Sequence, residues 1–236
     1  MFPPPETERS RAVVLVHGAW VGEWSWLPVL PILAASGRPV YPVSLTGHGA
    51  RRHQGGPHVT LDHHVDDLCG VVETYDLTDI TLVGHSYGGR VISRAFERLA
   101  HRISSMVYLD AHAPVATDSG QTPERQAIAE ANGGMLPFAG YDPDPSWIED
   151  QEAVEWFLAR IAPQSFACLT APWQVELPTN LPKTYVYATG GGEASRFTRY
   201  AEVVRQADDW RYRELPGPHF LMFSHPDEVA EIILEA

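Results

Sequence analysis

Two cysteines in 236 residues, Cys69 and Cys168, are too few for a disulfide framework, and their separation fits no metal-binding spacing. Both are expected as small buried thiols. Basic residues are scarce as well: 17 Lys and Arg stand against 30 Asp and Glu, a net charge of −13. That balance argues against nucleic acid or an anionic membrane surface as a partner. No run reaches the ~18 apolar residues of a membrane span. Residues 1–6 carry three consecutive prolines and lack the basic-then-apolar order of a secretory signal. A cytoplasmic setting is the expectation.

What is present is a globular composition, 44% apolar, 10% aromatic and 20% charged. The length suits one domain of ordinary size, or one domain with an insertion, able to bury roughly 70–75% of its surface without staples. Residues 12–17 (Ala-Val-Val-Leu-Val-His) form a short β-branched run ended by Gly18, a strand buried on both faces. Residues 24–35 read as a helix broken by Pro31 and ended by Gly37. Further strands are expected over 40–44, 79–84, 103–110, 183–189 and 210–215. A further helix is expected to open at Thr60, its cap, with Leu61, Val65, Leu68, Val71 and Val72 at helical spacing, and others over 86–99 and 227–235. Residues 46–59, rich in Gly, His and Arg, read as a loop.

Strands alternating with helices imply right-handed crossovers and an α/β fold, a mostly parallel sheet with helices on both faces. Residues 112–182 break the rhythm. They hold no convincing strand, many turn residues and two short helical patterns, the better one over 151–161 with Val154, Phe157, Leu158 and Ile161 on one face. Some 70 residues are too many for a plain loop. The expected division is a core of 1–111 and 183–236, with 112–182 inserted as a small helical cap.

Gly84-His85-Ser86-Tyr87-Gly88 sits where a buried strand turns into a helix. In that setting Gly-x-Ser-x-Gly is a nucleophile elbow. The sharp turn strains the serine backbone, and the two glycines leave room for neighbouring main chain. Ser86 then projects at a helix N-terminus, where the Tyr87 N–H and the helix dipole face developing negative charge. A serine hydroxyl needs a base. Of 11 histidines, His219 is best placed, after the last strand and so on the same rim as Ser86. The turn His17-Gly18-Ala19-Trp20 follows the first strand and offers the Ala19 N–H as a second oxyanion donor. Trp20 and Trp24 belong either near the pocket or in the core. The same two readings stay open for Trp147, Trp156, Phe157, Phe166 and Trp173. His48, His53, His58, His63 and His64 show no ligand spacing. Adjacent His63 and His64 on a helix point apart, so no metal is expected.

At this point the chain resembles the α/β-hydrolase superfamily, in its compact branch of plant methyl esterases, hydroxynitrile lyases and bacterial pyrethroid-type carboxylesterases. The strings are Leu15-Val16-His17-Gly18-Ala19-Trp20 with Trp24-Ser25-Trp26, Gly47-His48-Gly49, Val83-Gly84-His85-Ser86-Tyr87-Gly88-Gly89, Val107-Tyr108-Leu109-Asp110-Ala111, and His219 with Met222 and Pro226. The resemblance implies a serine esterase that cleaves small-molecule carboxylic esters through an acyl-enzyme, without a cofactor, as a monomer or homodimer. The lyases carry threonine where Gly18 stands and lysine where Phe220 stands, which separates them from this chain. A lactonase, a carbon–carbon hydrolase or a non-catalytic ligand receptor would share the same frame.

The third member of the triad departs from the family. The loop that usually carries the acid reads Ala188-Thr189-Gly190-Gly191-Gly192-Glu193, without aspartate. Asp110, at the end of the fourth strand, is the preferred acid, since a carboxylate buried there needs an imidazolium partner. Glu193 stays open as the alternative.

Overall fold

A computed structural model describes residues 11–116, 121–138, 151–191 and 195–236. Six strands form one sheet: β1 (Val13–Val16), β2 (Val40–Val43), β3 (Ile80–His85), β4 (Ile103–Leu109), β7 (Lys183–Ala188) and β8 (Arg211–Leu215). Their spatial order is β2-β1-β3-β4-β7-β8, and every neighbouring pair is parallel.

Why these runs form central strands follows from their two faces. In β1, Val14 and Val16 face one core with Leu82, Met106, Tyr108 and Tyr185. Val13 and Leu15 face the other with Val83, Val107, Leu109 and Val186. Successive side chains point oppositely, so apolar residues at every position bury both faces. Helices α2 (Leu61–Thr74), α3 (Gly88–Leu99) and α7 (Thr198–Arg205) cover the first face. Helices α1 (Leu30–Ala35) and α9 (Pro226–Glu235) cover the second. The chain leaves β1 for the sheet edge at β2, then returns across β1 to β3. That reversal opens a crevice beyond the C-terminal ends of β1 and β3.

Several elements differ from expectation. Residues 24–35 split into a 3₁₀ turn, Glu23–Trp26, and α1, whose first turn holds Pro31. Proline has no N–H to donate and suits a first turn, so it opens this helix instead of breaking one. The expected loop 46–59 contains a 3₁₀ stretch, Gly49–Gln54. Helix α3 begins at Gly88, not Ser86, because Ser86 has a φ of 54°. Helix α7 was not expected. Between β4 and β7 run α4 (Pro123–Ala131), β5 (Met135–Leu136), α5 (Gln151–Leu158), β6 (Gln164–Ser165) and α6 (Phe166–Thr170). β5 and β6 pair antiparallel, a two-residue ladder too short to read from pattern. In α5 Phe157 is buried, while Leu158 is 42% exposed and off the supposed stripe.

This segment leans on the β1 exit loop. The Trp20 indole N–H donates to the Leu136 carbonyl (2.8 Å), and the Ala162 N–H donates to the Trp20 carbonyl (2.8 Å). Cys69 and Cys168 are buried and unpaired.

Candidate active site

The β3–α3 turn is tight because its glycines admit main chain where side chains would stand. A Cβ on Gly84 would lie 2.8 Å from the Gly88 carbonyl, and one on Gly88 would lie 2.5 Å from the Val16 carbonyl oxygen. Ser86 takes a positive φ of 54°, a strained region for a residue with a Cβ. Three main-chain bonds hold it there. The Ser86 N–H donates to the Leu109 carbonyl (3.3 Å), and its own carbonyl accepts from the Gly89 and His112 N–H groups (both 3.1 Å). Ser86 is half-buried, and the residues on either side of it are buried.

Asp110 follows β4 with a φ of 39°, and its N–H donates to the Val186 carbonyl at 2.7 Å. The carboxylate is 1% exposed. Its Oδ1 accepts from the Ala188 N–H (3.2 Å), and its Oδ2 accepts from His219 Nδ1 at 2.6 Å. A carboxylate oxygen accepts, so Nδ1 carries the proton and Nε2 presents its lone pair. Glu193, the alternative acid, lies outside the described residues.

Burial raises the Asp110 carboxyl well above the usual carboxylate range, opposed by the Ala188 N–H. Burial and then the Arg196 guanidinium push the His219 imidazole down, to about 3. Each shift penalises a bare charge taken out of water. The neutral imidazole, bonded through Nδ1–H to Asp110, is the form that a general base requires.

The His219 ring is packed by two neighbouring rings. Phe197 stacks on it at 4.8 Å and 10°, and the His85 ring lies against it at 4.6 Å and 38°. No hydrogen bond among the described residues joins the Ser86 hydroxyl to His219. Both stand beyond the C-terminal ends of parallel strands of one sheet, Ser86 after β3 and His219 after β8, and so on one rim.

The loop after β1 supplies the facing wall. His17 is fully buried; its Nδ1–H donates to the Gly18 carbonyl (2.8 Å) and its Nε2 accepts from the Leu45 N–H (3.2 Å). A Cβ on Gly18 would lie 3.0 Å from both the Ser86 Cβ and His85 Nδ1, which sets this loop directly against the elbow. Among the described residues, neither the Ala19 nor the Tyr87 N–H donates to a main-chain or side-chain acceptor. Tyr87 is anchored by its hydroxyl, which donates to His64 Nδ1 (2.9 Å) while His64 Nε2–H donates to the Thr46 carbonyl (2.9 Å).

Phe197 carries no signal in the sequence, and His64 is weighed there only as a metal ligand. His64 is a signal that could have been found, since it shares the buried α2 face with Leu61, Val65 and Leu68. His63 points away and accepts from the Thr60 N–H (3.2 Å) at the helix start. Of the aromatics left open, Phe157 and Trp173 are 1% exposed and pack the interior. Phe157 touches the rings of Trp24 and Phe220, each at 5.3 Å. Trp156 and Phe166 are half-buried, and Trp147 lies outside the described residues. Among the described residues no group of three or more His, Cys, Asp or Glu could hold a metal ion.

The sheet order and the serine elbow at its switch point define a hydrolase of the α/β class. The chain belongs to the alpha/beta hydrolase family, whose model matches residues 13–232. It is 34% identical over 232 residues to a carbendazim-hydrolysing esterase of Nocardioides sp. (strain SG-4G), covering 92% of this chain and 96% of that one. It is 35% identical over 111 residues to methylesterase 3 of Arabidopsis thaliana, covering 46% of this chain and 42% of the plant protein. Among solved structures, an extracellular α/β-hydrolase from a Paenibacillus species superposes with a TM-score of 0.76 at 24% identity, covering 96% of this chain and 98% of that one. A pyrethroid hydrolase from Sphingobium faniae JZ-2 superposes with a TM-score of 0.72 at 22% identity, covering 96% of each chain.

Proposed function

We propose that Ser86, His219 and Asp110 form the triad of a serine carboxylesterase acting on small-molecule carboxylic esters. The observation that carries this reading is the 2.6 Å bond from His219 to buried Asp110, on the same rim as the strained Ser86 elbow. Kinship supports the reaction class: the relative matched along nearly its whole length is an esterase, and the shorter matches include methylesterases.

The chemistry follows from the geometry. Ser86 Oγ attacks the ester carbonyl carbon, and its proton passes to His219 Nε2. Asp110 holds the ring through Nδ1–H and stabilises the imidazolium. The Ala19 and Tyr87 N–H groups, free of other acceptors, receive the carbonyl oxygen as it gains charge. His219 Nε2–H then protonates the departing alkoxide, leaving the acyl group on Ser86. A water molecule gives its proton to Nε2 and attacks the acyl carbon; Nε2–H then returns that proton to Ser86 Oγ as the acyl–Oγ bond breaks, releasing the carboxylic acid.

Residues 112–182 act in this account as a cap over the site, a reading supported by the bonds from Leu136 and Ala162 to Trp20. No helix among the described residues is long and apolar enough to cross a membrane. The buried, unpaired thiols fit the cytoplasm.

The test is hydrolysis of p-nitrophenyl acetate, followed by a series of methyl esters. The natural chain should turn over with an initial burst, and Ser86→Ala should abolish turnover while keeping its circular dichroism spectrum. Unchanged turnover by Ser86→Ala overturns the assignment. Stoichiometric acylation without turnover in the natural chain would instead mark a ligand receptor on this fold.

A further inference from the structure

His85 is fully buried, yet it is a titratable ring at the end of a central strand where an apolar residue would pack. Its Nδ1 is buried with no hydrogen-bond partner among the described residues. Leaving a polar atom unpaired in the interior costs stability, so an imidazole kept there needs a compensating task. Its other nitrogen shows one. His85 Nε2 lies 3.0 Å from the main-chain carbonyl oxygen of His219, 134 residues away. A carbonyl oxygen only accepts, so Nε2 carries the ring proton and Nδ1 is bare.

We propose that His85 is a positioning residue, a clamp that fixes the backbone of the base relative to the nucleophile. The inference rests on the triad reading given above. His85 is bonded covalently to Ser86, so whatever His85 holds is held in register with the serine. His219 lies in an irregular stretch between β8 and the short helix α8 (Leu221–Ser224), where no helical or strand ladder fixes its carbonyl. One main-chain bond ties this stretch to the β7 exit, from the Gly190 N–H to the Gly217 carbonyl (2.8 Å). The His85 donor and ring therefore set where the His219 Cα stands, and Asp110 sets how its ring is turned. A displacement of about 1 Å between base and nucleophile can cost about 100-fold in rate.

The surroundings keep His85 in the neutral, Nε2-protonated form that this task needs. Trp26 (6.5 Å) and Phe220 (5.1 Å) pack on its ring, and the titratable groups near it are His219 and His17. Burial and the neighbouring His219 both hold its pKa well below the ordinary value. His219 itself faces His85, Asp110 and Arg196.

Two amides separate a clamp from mere packing. In His85→Gln the side-chain Nε2 amide falls near the imidazole Nε2 and can still donate to the His219 carbonyl. In His85→Asn the amide falls near Nδ1 and cannot reach. On p-nitrophenyl acetate, His85→Asn should lower kcat by about 10–100-fold with KM within about threefold, and His85→Gln should recover to within about threefold of the natural kcat. Equal losses in both variants, or no loss in His85→Asn, overturn the clamp. Ser86→Ala tests the triad separately, so the two failures are distinguishable. One measurement needs no variant. Long-range ¹H–¹⁵N correlation spectra of the natural protein should show His85 protonated at Nε2 at pH 7; protonation at Nδ1 would refute the proposal even if both amide variants fail to fold.

Discussion

Ser86 and Asp110 are neighbouring elbows: both non-glycine residues have positive φ, 54° and 39°, just beyond adjacent parallel strands β3 and β4. The Ser86 N–H donates to the carbonyl of Leu109, the residue before Asp110. One register between two strands thus sets a serine and a carboxylate at adjacent strand ends, and the carboxylate is bonded to His219. Asp110→Asn would keep the fold but offer its amide N–H groups where the His219 Nδ1–H needs an acceptor. In chymotrypsin-type triads that change lowers kcat about 10⁴-fold, and a loss of about 10³–10⁴ in kcat is expected here. Glu193→Gln should stay within about threefold. The reverse pattern would transfer the acid role to Glu193.

The acid limb of kcat/KM should lie below the ordinary imidazole range. Catalysis needs neutral His219, and burial with Arg196 pushes that group down from 6.5 to about 3. Protonation, and with it loss of rate, is therefore delayed as pH falls. A stopped-flow pH profile on a folded sample checks this. A midpoint at or above pH 6.5 would show that the Asp110 charge outweighs burial.

Acid should unfold the protein early. Unfolded histidine takes its proton near pH 6.5, whereas buried His17 and His64 resist until about 4. Below pH 6.5 the unfolded chain binds more protons, so stability is complete above that value and drains away toward pH 4. Each of these two groups contributes roughly 3 kcal/mol over the full window. His48, His85 and His112 are shifted the same way by burial. Asp110, raised by burial, acts oppositely, as one carboxyl against several imidazoles. The urea midpoint should fall between pH 8 and pH 5. An unchanged midpoint would contradict the buried neutral rings.

Two glycine-to-alanine changes should move stability in opposite directions. A methyl on Gly89 would sit well inside contact of the His112 carbonyl oxygen and 3.0 Å from the Ala111 Cβ. Overpacking of this kind costs about 1–3 kcal/mol. Gly70, in exposed mid-α2, has nothing within 4 Å of a built Cβ. Alanine there should stabilise by about 0.5–1 kcal/mol through helix propensity. Thermal melts of both variants decide it.

Much of this was legible in the chain. The unbroken apolar run of β1 could only be a strand buried on both faces, and β3 and β4 carry their longest apolar stretches at Leu82-Val83 and Met106–Leu109. The glycines around Ser86 announced the turn, and Asp110 at the end of an apolar run announced a buried carboxylate in need of a partner. The parts that were not legible have physical reasons. The β5–β6 ladder is two residues long, below any periodicity. The α5 stripe misassigned Leu158 because its neighbours come from elsewhere in the fold. Helix α7 carried a readable pattern in Tyr200, Ala201 and Val204, but its short length among polar residues hid it. The packing of the Phe197 and His85 rings on His219 joins residues far apart in sequence, and no local signal encodes it.

The covalent step is the most direct test of the account. The natural chain, mixed with a slowly deacylated aryl ester and quenched in acid, should yield by peptide mass spectrometry one acyl group, on Ser86, formed at the rate of the burst. An unmodified Ser86 during steady turnover, or an acyl group on another residue, would contradict it.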